Sequence, residues 1–193
     1  TESGFTENIP ARTKVGAPAS SYEFWIYDIA RDTTFKLNMK GIAGFTDKPD
    51  YLKDYPKLDS SWSKKPRGVI FHGPFWSENG KNNVVIARSL DNKDRWIMEL
   101  DLPTQKLKLL DRQRDEAWIG GPGIGNYPMS AGEIGWVNDQ TIYFQSEATG
   151  YAHLYSYDLK TNVKKALTSG SFEVQAVQLS KDKKYFYLST NEV

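Results

Sequence analysis

No cysteine occurs among the 193 residues, and histidine occurs only twice. The first absence excludes a disulfide framework, a thiolate metal site and a cysteine nucleophile. The second leaves His72 and His153 alone, in no metal-ligand spacing, so neither a metal nor any other cofactor is expected. Neither sign of charge prevails. With 25 Lys and Arg against 24 Asp and Glu, the chain has no net field to hold nucleic acid or an anionic membrane surface. It lacks any run of about 18 apolar residues, which removes a membrane-spanning helix. Thr1 to Ser20 is polar, with Pro10 and Pro18, unlike an uncleaved signal peptide. Nor does any segment sustain a helical period. Pro49 to Lys65, with Tyr51, Leu52, Tyr55 and Leu58, predicts at most a short helix inside an insertion.

What is present is aromatic: 6 Trp, 11 Tyr and 9 Phe, set among Gly, Asn and Asp turn residues, a strand-rich composition. The chain also repeats itself. Val85 to Leu110 overlays Ile142 to Leu167 without a gap, and Phe24 to Leu37 overlays the later half of the same unit, Ile97 to Leu110. Leu179 to Asp182 and Tyr185 to Ser189 repeat its opening. Each unit reads as four short strands joined by turns, the layout of a β-propeller blade. The expectation is an all-β chain forming an incomplete propeller arc of four-stranded antiparallel blades. Part of one blade is expected at about 22–37, an insertion at 38–66, blades at about 67–111 and 132–168, and the start of another at 174–193.

Several stretches carry a resemblance. They are Lys14 to Pro18 leading into Phe24 to Asp28, Gly73 to Gly80, Asp91 to Trp96, Asp115 to Trp118, Ser146 to Tyr155 and Leu167 to Val174. In this order and spacing they resemble the propeller domain of the prolyl oligopeptidase family, dipeptidyl peptidase IV branch. That resemblance implies a serine exopeptidase whose propeller caps a C-terminal α/β-hydrolase domain, the first expected partner, and admits short peptide substrates, the second. It also implies a periplasmic or secreted protein. In the family the Ser, Asp and His of catalysis lie on the hydrolase domain. The Glu-Glu pair that holds a substrate's amino group has no counterpart here, since no adjacent Glu-Glu occurs.

The residues themselves offer little catalytic chemistry. Pro128 to Gly132 is the nearest string to a nucleophile elbow, and Pro128 stands where Gly-x-Ser-x-Gly needs its first glycine. Gly120 to Gly125 lacks the Lys and Ser/Thr of a phosphate loop and reads as a connection between blades. No catalytic or metal residue is therefore named. Candidate substrate-side residues are Arg112, Arg114, Asp115, Glu116 and Trp118, read as one loop of mixed charge; in the family resemblance this loop faces the hydrolase domain. The plain alternative pairs Arg112 with Asp115 or with a neighbouring blade. Glu147 reads as a turn carboxylate accepting backbone N–H bonds, His153 as a packing histidine, and Trp25, Trp76, Trp96 and Trp136 as filler between blades. Two further expectations stand beside the peptidase reading: a stand-alone propeller module binding protein or glycan, and self-association through exposed blade faces.

Overall fold

The computed structural model describes residues 20–125 and 129–191, together with Gly4. Lys14 to Pro18 and Pro128 lie outside the described residues. Within them the chain is all-β, with twelve strands in four antiparallel sheets. Strands β1 (Trp25–Asp28) and β2 (Thr33–Lys36) form a two-stranded sheet. Strands β3 (Val69–Trp76), β4 (Asn83–Ser89), β5 (Asp94–Asp101) and β6 (Lys106–Arg114) pair in chain order into a four-stranded sheet. So do β7 (Ile134–Asn138), β8 (Thr141–Ser146), β9 (His153–Asp158) and β10 (Val163–Ala166). A last pair, β11 (Val174–Leu179) and β12 (Phe186–Thr190), completes the array. The sheets follow one another as an open, propeller-like arc and close no barrel.

The repeat is written in the turns. Asp28, Asp101 and Asp158 each end a strand, and each carboxylate accepts the N–H three residues on: Arg31 at 3.0 Å, Thr104 at 3.3 Å and Thr161 at 2.7 Å. The next residue, Asp32, Gln105 or Asn162, sits at positive φ (49°, 58° and 58°), and the return strand starts after it. An aspartate suits the first position because its short carboxylate can close such a turn on the backbone. The Asp-Leu or Asp-Ile pair of the sequence is thus a turn cap. Ser77 and Ser180 mark a second equivalence, each with its N–H bonded to the carbonyl five residues on (2.9 and 2.8 Å).

Strand β4 is buried along its whole length. Val84 and Ile86 face β7 to β10, meeting Ile97, Trp136, Ile142, Phe144, Tyr155 and Tyr157; Val85 and Ala87 face the other way, toward Trp96, Met98, Leu37 and Met39. A strand covered on both faces needs no polar alternation, which explains the unbroken run Val84 to Ala87. The insertion 38–66 supplies Met39 and part of that second core, and its only helices are a 3₁₀ turn at Asp50–Asp54 and a short α1 (Pro56–Ser61).

The tryptophans divide. Trp96 and Trp136 are buried between sheets as expected, but Trp25 is 56% and Trp76 46% exposed. Trp25 opens β1 on a sheet of only two strands, and Trp76 closes β3, an edge strand of its sheet. His153 is buried and polar-satisfied, its ring nitrogens 3.1 Å from Thr168 Oγ1 and from the Gly170 carbonyl.

Candidate functional site

Alternating strand direction brings the connections at 90–93, 115–133 and 147–152 to the same end of their sheets. At that end the chain builds a charge cluster around one aspartate. Asp94, the first residue of β5, is fully buried. Its Oδ1 accepts Arg112 Nε at 2.7 Å, and its Oδ2 accepts Arg114 Nη1 at 2.5 Å and also Arg67 Nη1. Three guanidiniums thus share one carboxylate. Each has a second acid farther out. Arg67 grips both Asp91 oxygens at 2.6 Å, and Arg114 meets Glu116 at 2.6 Å. Arg112 Nη2 lies 3.0 Å from Asp47 at an angle that forms no hydrogen bond, leaving a Coulombic contact. The acids outweigh burial at Arg67 and Arg114, whose guanidiniums are held more firmly charged than usual.

The candidate run is therefore half strand and half loop. Arg112 and Arg114 lie in β6, which continues past Leu110 because its pairing with Asp94 to Ile97 persists through a register shift at Ile97/Met98. The bulge was hidden in the sequence, where the apolar pattern ends at Leu110. Arg112 and Asp115 do not pair with each other. Asp115 instead accepts the N–H groups of Ala117 (2.7 Å) and Trp118 (2.8 Å), which holds its carboxyl below the usual range. Ile119 N–H bonds the Asn92 carbonyl at 3.0 Å, and Asn92 Nδ2 returns a bond to the Ile119 carbonyl at 3.0 Å. The backbone around Trp118 is pinned on both sides, yet its indole stands 63% exposed.

Beside this loop, Arg112 to Asp115, Ile119, Ile124, Ser146 to Ala148 and Lys164 surround a cleft of about 250 Å³. Glu147 enters from the neighbouring sheet and accepts the N–H groups of Gly120 and Gly121. A Cβ at Gly121 would lie 2.0 Å from Glu147 Oε1, so the glycine is what lets the carboxylate sit on the backbone. Burial pushes the Glu147 carboxyl above its ordinary range, helped by Glu173 and Asp115 and opposed by the two glycine amides. A raised carboxyl stabilises the fold fully below its unfolded pKa, and that contribution is lost as pH rises through the folded value. Glu147→Gln should accordingly flatten stability across the window just above the ordinary carboxylate range, read by thermal denaturation at a series of pH values. An unchanged profile would contradict this assignment.

Two further arginines, missed in the sequence, lie behind the cleft. Arg88 and Arg95 are fully buried on adjacent strands with no carboxylate hydrogen-bonded to either. Arg88 donates to the Ile124 carbonyl and to Asn92 Oδ1 (2.8 Å); Arg95 donates to the carbonyls of Gln145 and Glu133 (3.2 Å each). Burial, with Arg88 adding to it, pushes Arg95 down to about 9 against the pull of Asp111 and Glu133. These guanidiniums tie the Ile124 and Glu133 carbonyls to the first large sheet, and Arg95 also bonds the Gln145 carbonyl of the second. Nothing in their sequence context distinguishes them from surface arginines. Among the described residues no group of acids and histidines is spaced to hold a metal ion, and no helix is long and apolar enough to cross a membrane.

Residues 13–193 match the dipeptidyl peptidase IV (DPP IV) N-terminal region. The dipeptidyl peptidase 4 of Trichophyton equinum is 29% identical over 168 residues, covering 84% of this chain and 20% of that protein. The same coverage holds for dipeptidyl peptidase 4 of Trichophyton rubrum at 24% identity. The chain thus spans about a fifth of the length of the curated relatives it matches. A solved oligogalacturonate lyase in complex with manganese superposes with a TM-score of 0.37 at 12% identity, covering 64% of this chain and 32% of the other, too loosely to bear on fold or chemistry. The match from residue 13 to the last residue leaves one conclusion on family: this chain belongs to the dipeptidyl peptidase IV N-terminal region family.

Proposed function

We propose that this chain is the non-catalytic propeller segment of a dipeptidyl-peptidase-like serine peptidase, exported to the periplasm or secreted. Its role is to gate and position short peptides for a hydrolase domain carried elsewhere in a longer protein. The observation that carries the reading is Trp118, exposed between the cleft-lining residues Asp115 and Ile119 on a backbone held by Asp115 and Asn92. Pinned aromatics of this kind supply contact area at little entropic cost. The Arg67, Arg112 and Arg114 cluster on Asp94 anchors the strand ends from which this loop departs, with Asp115 N–H bonded to the Lys93 carbonyl. The family and the relatives named dipeptidyl peptidase 4 supply the peptidase context. Chemistry itself needs a nucleophile, a base and an orienting group in mutual reach, a set that this reading places on the hydrolase domain.

Two measurements test it. Incubated alone with dipeptidyl chromogenic substrates, the chain should give no turnover above blank; robust hydrolysis free of contaminating protease would overturn the reading. In a protein joining this segment to its hydrolase domain, Trp118→Ala should raise KM by about tenfold, equivalent to about 1.4 kcal/mol, with kcat little changed. An unaltered KM removes Trp118 from the substrate side.

A further inference from the structure

The hairpin between β3 and β4 holds the only Asn-Gly step in the sequence, Asn79–Gly80, and both residues are exposed. Ser77 to Gly80 form a turn closed by the Gly80 N–H on the Ser77 carbonyl at 2.9 Å, with Gly80 at φ 67°. A Cβ at Gly80 would meet nothing within 4 Å, so no neighbouring side chain shields the main chain there.

The Asn79 side chain is held by donors. Its Oδ1 accepts the Lys81 N–H at 2.8 Å and lies 2.9 Å from the hydroxyl of Ser77, whose alternative acceptor is the Asn82 carbonyl at 3.0 Å. A backbone N–H can only donate, so the bond from Lys81 fixes which atom of the Asn79 amide is the oxygen. Because that bond spans Gly80, it folds the side chain back across the Gly80 nitrogen. Ser77 is buried, and its hydroxyl oxygen also accepts the Asn82 N–H at 3.0 Å, which keeps it in place.

These contacts assemble the parts of a ring closure. The electrophile is the side-chain carbonyl carbon of Asn79, and the nucleophile is the Gly80 nitrogen. Donors on Oδ1 stabilise the negative charge that this oxygen acquires when the nitrogen attacks, as an oxyanion hole does. Glycine has no Cβ to crowd the attacking nitrogen. The contact that opposes attack is the Gly80 N–H bond to Ser77, one bond of an exposed turn, of the kind that opens by local fluctuation.

We infer that Asn79 is a self-modification site, converting to aspartate and isoaspartate through a succinimide formed with Gly80. Water is the only co-reactant. Gly80 N–H gives its proton to solvent base, a bond forms from that nitrogen to Asn79 Cγ, and the side-chain nitrogen takes up a proton and leaves as ammonia. Water then opens the ring. Addition at Cγ restores the ordinary peptide bond and leaves aspartate; addition at the main-chain carbonyl leaves the chain running through Cγ, with one extra methylene. The hairpin is fastened at this spot, since Asn79 N–H bonds Asp139 Oδ1 at 2.9 Å and Asn82 Nδ2 bonds the Asp139 carbonyl at 2.6 Å. Either product puts a carboxylate beside Asp139 and Glu78, and isoaspartate also lengthens the turn between those two bonds. Conversion therefore unfastens β3 and β4 from the hairpin of β7 and β8.

The test incubates the purified protein at mildly alkaline pH and maps its peptides over time. Residue 79 should be the first asparagine to gain the mass difference between an amide and an acid, with isoaspartate detected by enzymatic methylation. Ser77→Ala should slow the conversion severalfold in the native protein, and Ser77→Thr, which keeps the hydroxyl, should restore it. In guanidinium chloride, where the turn is gone, all three should react alike. A native protein that stays unmodified at residue 79 while the unfolded chain converts would overturn the inference and give the turn a protecting role. Equal native rates for Ser77→Ala and wild type, or an effect that persists in denaturant, would overturn the part assigned to the donors.

Discussion

Asp94→Asn is expected to unfold this chain more readily than any other polar substitution. The carboxylate is fully buried and neutralises Arg67, Arg112 and Arg114 together. Asparagine keeps the shape and one acceptor but withdraws the charge, leaving three guanidiniums facing one another. Removing one partner of a buried ion pair costs about 3–5 kcal/mol. At roughly 2–4 °C per kcal/mol for a chain of this size, the melting temperature should fall by about 6–20 °C. Arg31→Met supplies the contrast, since its pair with Asp28 is solvent-exposed at 3.6 Å and such pairs contribute about 1 kcal/mol at most. Similar melting temperatures for the two variants would sink the idea that Asp94 is the hub. Asp94→Asn should also loosen the Trp118 loop, since Asp115 N–H bonds the carbonyl of Lys93, next to Asp94. The emission difference between Asp94→Asn and the double variant Asp94→Asn with Trp118→Phe isolates Trp118 from the other five tryptophans and reports that loosening.

Trp96→Ala should be of comparable size for a different reason. The indole fills the second core beneath Arg67, whose guanidinium carbon lies 5.6 Å from the ring centroid, and its Nε1 donates to the Ala43 carbonyl at 2.9 Å. Truncation removes apolar area, opens a cavity and strands a carbonyl of the 38–66 insertion. Large aromatic to alanine changes in cores cost about 3–5 kcal/mol. Chemical denaturation of Trp96→Ala and Trp96→Phe side by side separates the parts. Trp96→Phe retains most of the volume and loses the bond to Ala43, so it should fall between wild type and alanine. Equal loss in both would assign the whole effect to the hydrogen bond.

Much of this fold was legible because its turns carry information. The Asp at the end of β1, β5 and β9 and the serines at 77 and 180 are chemically required where they stand, so the repeat survives in the sequence even where strand residues differ. Strand ends defined by bulges were not legible. The extension of β6 to Arg114 depends on a shift at Ile97/Met98 that leaves no compositional trace. The site was half read: the run from Arg112 to Trp118 was singled out, while its organising anion Asp94 was missed, because a buried aspartate at a strand start looks like any turn aspartate. Arg88, Arg95 and Arg67 escaped for the same reason, since burial of a long cation is a property of the packed sheets and not of its neighbours in sequence. Exposure misled in the other direction. Trp25 and Trp76 carry strand-like surroundings, and only the sheet positions reveal that nothing covers them.

The hairpin between β3 and β4 reaches beyond its own sheet. Asn79 N–H bonds Asp139 Oδ1 at 2.9 Å, Asn82 Nδ2 bonds the Asp139 carbonyl at 2.6 Å, and Glu78 meets Lys183 at 2.7 Å. Three successive sheets are fastened by six residues of loop. A stack whose units touch only by nearest-neighbour faces can open one unit at a time, with amide exchange graded from the ends inward. Here the β3–β4 hairpin is hydrogen-bonded to Asp139 of the next sheet, whereas the last two-stranded sheet meets that hairpin only through the exposed Lys183–Glu78 pair, which contributes about 1 kcal/mol at most. Slow-exchanging amides in β3 and β7 should therefore share one opening free energy, while those in β11 and β12 open more readily.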